Sequence, residues 1–209
     1  MIRILIAEDQ VMVREAIASL LDLDEEFGVV AQVGRGDKVV AVARATAPDV
    51  ALLDIEMPGA SGLDVLVELA AELPACRILI LTTFGRPGYL RRAMTGGAAG
   101  FLLKDAPVAE LSSAIRRAMA GERVVDPGLA AAALSDGDSP LTAREQEVLA
   151  AAREHGTVAQ VAAALHLSPG TTRNHLSTIM RKLGASSRIE ALRVAEEKGW
   201  LSSRGGTRR

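Results

Sequence analysis

Cysteine is nearly absent. Cys76 is the only one in 209 residues, so no internal disulfide can form, and the chain is expected to work in a reducing, cytoplasmic setting with that thiol as a small buried hydrophobe. The three histidines, His155, His166 and His175, have no metal-ligand spacing with a cysteine. No apolar run approaches the roughly 20 residues needed to cross a bilayer, so membrane insertion is not expected. The opening Met1–Ala7 is too short for the apolar core of a signal peptide and runs directly into Glu8-Asp9. A Walker-type phosphate loop is also missing. What is present is a charge split hidden beneath a net charge of -2: residues 1–140 hold 13 basic and 20 acidic side chains, against 11 and 6 in 141–209. An acidic part joined to a basic part suggests that the second part meets a polyanion.

Short apolar runs alternate with helical patterns through the first part. Strands are expected at Ile2–Ala7, Val29–Val33, Val50–Asp54, Arg77–Thr83 and Gly100–Leu103. The helices between and after them run over about 10–21, 37–45, from 61, from 87 to the Gly96-Gly97 pair, and from Pro107 to about Gly121. Five strand-helix repeats imply a doubly wound, five-stranded parallel sheet with helices on both faces. In such sheets chemistry gathers at the carboxyl ends of the strands. At those ends stand Glu8 and Asp9, Asp54 and Glu56, Thr82, and Lys104.

Taken singly, each of these is an ordinary helix cap or solvated residue; together at one edge they describe a site. Carboxylates crowded together raise one another's pKa unless they share a cation. Hard oxygen donors suit Mg²⁺, which favours one or two carboxylates plus a phosphate. An aspartate can act as a nucleophile toward phosphorus. Lys104 can pair with the carboxylate or phosphate, and the Thr82 hydroxyl can donate to a phosphoryl oxygen. The residues therefore predict phosphoryl acceptance by Asp54. One competing motif, Gly34-x-Gly36, follows a strand and opens a helix, as in a dinucleotide fingerprint. Val39 occupies the third glycine position, however, and the motif follows the second strand, with acids at the end of the first.

Glu8-Asp9, Asp54 with Met57-Pro58-Gly59, Leu81-Thr82-Thr83 and Gly100–Asp105 resemble the receiver domain of bacterial two-component response regulators, a flavodoxin-like fold, over residues 1–121. The resemblance implies that Glu8, Asp9, Asp54 and the Glu56 backbone carbonyl hold Mg²⁺. It also implies that Asp54 takes phosphate from a sensor histidine kinase, and that Thr82 and Phe101 change position to report the event.

Residues 122–140 read as a linker, loosest at Ser135–Pro140. A small all-α domain is expected over 141–202, followed by a basic tail at 203–209. Its first helix opens with a Thr142-x-x-Glu145 capping box and runs to about Glu154. A short helix around Val158–Leu165 and a tight link at His166-Leu167 lead to a third helix, capped by Ser168 with Pro169 at its first position. There Thr172, Leu176, Ile179 and Leu183 face inward, while Arg173, Asn174, Ser177 and Arg181 face outward. A last helix starts at Ser187, again with a Ser-x-x-Glu box. The pattern from Leu141 to Leu183 resembles the LuxR-type helix-turn-helix domain. That likeness implies double-stranded DNA as partner, with Arg173, Asn174 and Ser177 in the groove and His175 and Lys182 near the backbone. It also implies pairing of two such domains through Ile189 and Leu192 on the last helix.

A receiver joined to a LuxR-type domain resembles the NarL/FixJ class of transcription factors, which are not enzymes and form homodimers on phosphorylation. Locally, Ala7–Gln10, Asp54–Gly59, Leu81–Tyr89 and Lys198–Trp200 look like the membrane-fluidity regulators of fatty-acid desaturase genes. The rival reading keeps the fold and drops the phosphate, leaving a DNA-binding regulator controlled by a ligand or protein partner.

Overall fold

A computed structural model of the chain describes residues 1–201 except 84, 86, 127 and 132–138. Most of the expected flexible link and the basic tail at 203–209 lie outside the described residues. The chain divides into two units: the first comprises Met1–Gly85 and Tyr89–Ala131, and the second is the helical region from Ser139 to Leu201.

Up to Val125 the chain alternates β1 (Ile2–Ala7), α1 (Val11–Leu21), β2 (Phe27–Val33), α2 (Gly36–Thr46), β3 (Val50–Asp54), α3 (Gly62–Glu72), β4 (Arg77–Thr82), α4 (Pro87–Thr95, in the first unit from Tyr89), β5 (Gly100–Leu103), α5 (Val108–Met119) and β6 (Val124–Val125). All strands are parallel, in the order β2-β1-β3-β4-β5-β6. The sheet thus has six strands where five were expected. Val124 and Val125 add two rungs to the edge of β5, paired with Gly100 and Phe101. Such a two-residue strand is too short to show any periodicity, and it falls inside the stretch expected to be linker.

Alternation along the strands sends every second residue to each face. Ile4, Ile6, Leu52, Leu79, Leu81 and Leu102 form one buried layer with Ala18 and Leu21 of α1 and Ala114, Ile115 and Ala118 of α5. The intervening Leu5, Ala51, Leu53, Ile78, Ile80 and Phe101 are equally buried. β3 is buried along its whole length, which explains why its sequence shows no polar alternation.

The second unit holds α6 (Ala143–Glu154), α7 (Val158–Ala164), α8 (Pro169–Leu183) and α9 (Arg188–Glu197) around Val148, Leu149, Val161, Leu176, Ile179, Ala191 and Ala195. Thr142 and Glu145 form the reciprocal capping box expected of them. Thr157 and Gln160 form a second one. At α9 the expectation needs correction. The Ser187 side chain accepts from the Glu190 N–H, but Glu190 turns to the N–H and hydroxyl of Ser186 rather than to Ser187. Glu190 is held below the ordinary carboxylate pKa by those two hydrogen bonds.

Candidate functional site

Because the strands are parallel, their carboxyl ends share one edge, and the register brings the polar residues level. Ala7 pairs with Leu53, Asp54 with Leu81, and Thr82 with Leu103, so Glu8, Asp54, Thr82 and Lys104 emerge side by side. Glu8, Asp54 and Thr82 are buried, and Asp9 is exposed.

The Lys104 ammonium lies 2.6 Å from Glu8 Oε2 and 3.1 Å from Asp54 Oδ2. Asp54 Oδ1 accepts the Ile55 N–H at 2.8 Å, and Glu8 Oε1 accepts the Gln10 N–H at 3.1 Å. Burial pushes the Asp54 carboxyl up to about 6; Lys104 opposes that shift and the Glu8 charge adds to it. Burial alone would lower the Lys104 pKa, but its contacts with Glu8 and Asp54 hold it above the ordinary lysine value. Glu8, Asp9 and Asp54 each offer an oxygen within 4.8 Å of the others. Three hard oxygen donors so close, one of them destabilised as an anion, fit a divalent cation such as Mg²⁺.

The loop after β3 is shaped by glycine. A Cβ on Gly62 would lie 1.9 Å from the Asp54 carbonyl oxygen, and Gly62 donates its N–H to the Ile55 carbonyl at 3.0 Å. Helix α3 therefore begins in contact with the strand end. Gly36, which resembled part of a dinucleotide motif, permits a close approach of the same kind, since its Cβ would meet the Ala60 carbonyl oxygen at 2.0 Å. Glu56 is exposed two residues beyond Asp54. Phe101 is fully buried, and since it pairs with Ile80, it shares a sheet face with Thr82.

In the second unit the two sides of α8 divide as their spacing predicts. Thr172, Leu176 and Ile179 are buried, while Arg173, Asn174, Ser177 and Arg181 are exposed. The Thr172 hydroxyl, unexpected at an inward position, donates to the Ser168 carbonyl at 3.1 Å, so its burial leaves no unsatisfied donor. His175 is half-buried. Lys182 is engaged: its ammonium lies 2.7 Å from Glu145, a buried carboxylate in α6. A phosphate contact from Lys182 would have to share that ammonium. The Glu145–Lys182 pair spans 37 positions, and no local pattern announces it. On α9, Ile189 is 76% exposed whereas Leu192 packs partly against the core, so the two residues expected to pair domains differ in availability.

Residues 4–116 match the family described as "Response regulator receiver domain", and residues 139–195 match "Bacterial regulatory proteins, luxR family". The chain is 46% identical over 201 residues to the uncharacterized transcriptional regulatory protein YvfU of Bacillus subtilis, covering 96% of this chain and all of that one. It is 44% identical, with the same coverage, to the transcriptional regulatory protein DesR of Bacillus subtilis. Among solved structures, the response regulator ChrA of a heme-sensing two-component system is similar, with a TM-score of 0.56, 33% identity and coverage of 94% and 97%. With both domain models matched and relatives aligned over nearly its whole length, the chain belongs to the response regulators, transcription factors that join a receiver domain to a luxR-family DNA-binding domain.

Proposed function

We propose that Asp54 is the phosphoacceptor and that its phosphorylation controls DNA binding. The observation that carries this is the buried Asp54 carboxylate, bridged to Glu8 by the Lys104 ammonium, with a third carboxylate close by. In the reaction a carboxylate oxygen of Asp54 attacks the phosphorus of a kinase phosphohistidine. The new O–P bond forms as the N–P bond breaks, and the histidine nitrogen leaves with the bond's electrons. Glu8, Asp9, Asp54 and the Glu56 backbone carbonyl would hold Mg²⁺, which when bound neutralises charge on the phosphoryl oxygens. Lys104 then exchanges a carboxylate partner for a phosphoryl oxygen, and the Thr82 hydroxyl donates to another. Movement of Thr82 frees space on the sheet face it shares with Phe101, which biases a two-state element.

Phosphorylation is proposed to pair two receivers through α1 and α5. Val11, Met12 and Leu20 of α1 and Leu23 just beyond it are exposed. An apolar groove of about 320 Å³ runs between Met12, Ile17 and Leu20 of α1 and Leu111 of α5, with Lys104 in its lining. Ile189 extends the pairing to the DNA-binding domains, with Leu192 beneath it. Two copies of α8 then meet successive major-groove faces about one helical turn apart, with Arg173, Asn174 and Ser177 on base edges and His175 and Lys182 near phosphates. Membrane-lipid genes are the target class that the local resemblance suggests, and a promoter search with the phosphorylated protein tests it.

The experiment is incubation with Mg²⁺ and acetyl phosphate, or with a phosphorylated histidine kinase, beside Asp54→Ala. Intact mass and oligomeric size are read together. One added phosphoryl group and a dimer are expected for the native chain and neither for the variant. Absence of uptake from both donors would favour the phosphorylation-independent regulator.

A further inference from the structure

The turn that supplies two of the three carboxylates, Glu8 and Asp9, is fastened from a direction that the phosphorylation chemistry does not use. Arg14, half-buried on the first turn of α1, donates from its guanidinium to the Glu8 backbone carbonyl at 2.5 Å. The start of α1 needs such help. Its N-cap residue Gln10 makes no side-chain cap, and its first turn holds no acid; the Gln10 N–H is taken up by the Glu8 carboxylate instead. Helix start and acidic turn are therefore one piece, with Arg14 closing it over six residues. Gly34, at the end of β2, makes the room: a Cβ there would lie 3.2 Å from the Arg14 guanidinium nitrogen, and its backbone is outside the left-handed region. The first glycine of the Gly34-x-Gly36 motif thereby has a physical purpose, as the Ala60 contact supplies one for the second.

We propose that Arg14, seated over Gly34, is a positioning residue for the cation site: by holding the Glu8 carbonyl it fixes where the Glu8 and Asp9 carboxylates stand, and so sets Mg²⁺ affinity. The inference rests on the Mg²⁺ reading given above. Carboxylates serve a metal only when held to within roughly 0.5 Å; the Glu8 N–H is tied to the Val33 carbonyl at 2.9 Å and its carboxylate to Lys104 and Gln10, whereas Arg14 holds the Glu8 carbonyl, on the side that leads to Asp9.

The test uses the full chain as Arg14→Ala, Arg14→Lys, Gly34→Val and the Arg14→Ala/Gly34→Val pair, with Ile115→Val as a control that loosens the core of the same unit. Mg²⁺ alone is titrated calorimetrically, and amide exchange of residues 9–11 is followed in EDTA. Arg14→Ala is expected to weaken Mg²⁺ binding about 5- to 30-fold and to speed exchange of the turn about tenfold. Gly34→Val, whose Cβ would lie 3.2 Å from the Arg14 guanidinium nitrogen and 3.9 Å from the Glu8 carbonyl and whose methyls reach further, keeps the charge but crowds the seat and should weaken binding in the same direction, and the pair should be no worse than its worse member. Arg14→Lys should recover part of the affinity, and Ile115→Val should leave it unchanged. If Arg14→Ala cannot be folded, Gly34→Val decides. Mg²⁺ affinity within twofold of native in Gly34→Val, or in Arg14→Ala, overturns the proposal, as does full multiplication in the pair. If the native chain binds no Mg²⁺, the metal reading fails and takes the affinity claim with it; exchange in EDTA then still judges the fastening, which unchanged rates in Arg14→Ala refute.

Discussion

Replacing Asp54 by Asn should stabilise the metal-free receiver, although it removes the proposed phosphoacceptor. The Asp54 carboxyl is raised from an ordinary value of 3.8 to about 6 by burial and by Glu8. At pH 7 that difference makes the charged form cost about 3 kcal/mol in the folded state relative to the unfolded one. Asn carries no charge, but it has one acceptor where Asp54 uses two, for the Ile55 N–H and for Lys104. The lost contact costs about 1 kcal/mol, and Lys104 keeps Glu8. The net gain is about 2 kcal/mol, or roughly 6–10 °C in the transition of a unit this size. The sign also dictates the pH course. A raised folded pKa means that the native state binds the extra proton between about 4 and 6, so native stability falls as pH rises through that window and is level above it. The gain from Asp54→Asn should therefore shrink to about a third by about pH 5 and vanish by about pH 4.5. Mg²⁺ at ten times its dissociation constant should return about 1.4 kcal/mol to the native chain and little to the variant. Calorimetry in EDTA and in Mg²⁺ reads this directly; fluorescence does not, since the only tryptophan, Trp200, is in the second unit. A variant less stable than the native chain in EDTA at pH 7, with a gap indifferent to pH, would refute the claim that Asp54 is held as a disfavoured anion.

Gly62→Ala should destabilise the receiver by about 3 kcal/mol or more and slow phosphorylation, because its methyl would collide with the Asp54 carbonyl; denaturant unfolding and phosphoryl uptake check it. Ala47 ends α2 at φ 42, exposed and left-handed, so Ala47→Gly should stabilise by about 0.5–1 kcal/mol, measured as a shift of the urea midpoint at constant slope. Glu145 is held below the ordinary carboxylate range chiefly by Lys182; its contribution is full above the unfolded carboxylate pKa and is lost as pH falls through the depressed folded value. Lys182→Met should consequently destabilise the second unit by about 1–2 kcal/mol at pH 7 and flatten that acid limb, which Trp200 fluorescence can follow. Arg173→Ala should weaken specific DNA binding about 10- to 100-fold while nonspecific binding changes much less, as read by titration of a cognate and a scrambled duplex at one salt concentration.

The expected elements and the acidic edge were legible because both are consequences of periodicity. A strand buried on both faces must be an unbroken apolar run, parallel strands must end at one edge, and Asp54, Thr82 and Lys104 each follow such a run directly. Inward and outward positions on α8 followed from the same rule at helical spacing. What stayed hidden depends on distance through space rather than along the chain. Val124-Val125 has too few residues for a period and becomes a strand only because the edge of β5 is there to pair with. Glu145 and Lys182 are ordinary surface residue types until α6 and α8 pack together. Gly34 and Gly36 were visible as a motif but suggested the wrong purpose, since a sequence shows that a side chain is missing and not what fills the space. That space is taken by the Arg14 guanidinium in one case and by the Ala60 carbonyl in the other. Two of these hidden contacts reach a chemically legible residue: Arg14 at the Glu8 carbonyl and Glu145 at the Lys182 ammonium. The acids at this edge could be found from their own strands, whereas the groups that fix their geometry come from α1, β2 and the loop before α3. A receiver tuned to a different Mg²⁺ affinity could therefore keep Glu8, Asp9 and Asp54 unchanged and differ only at such supporting positions.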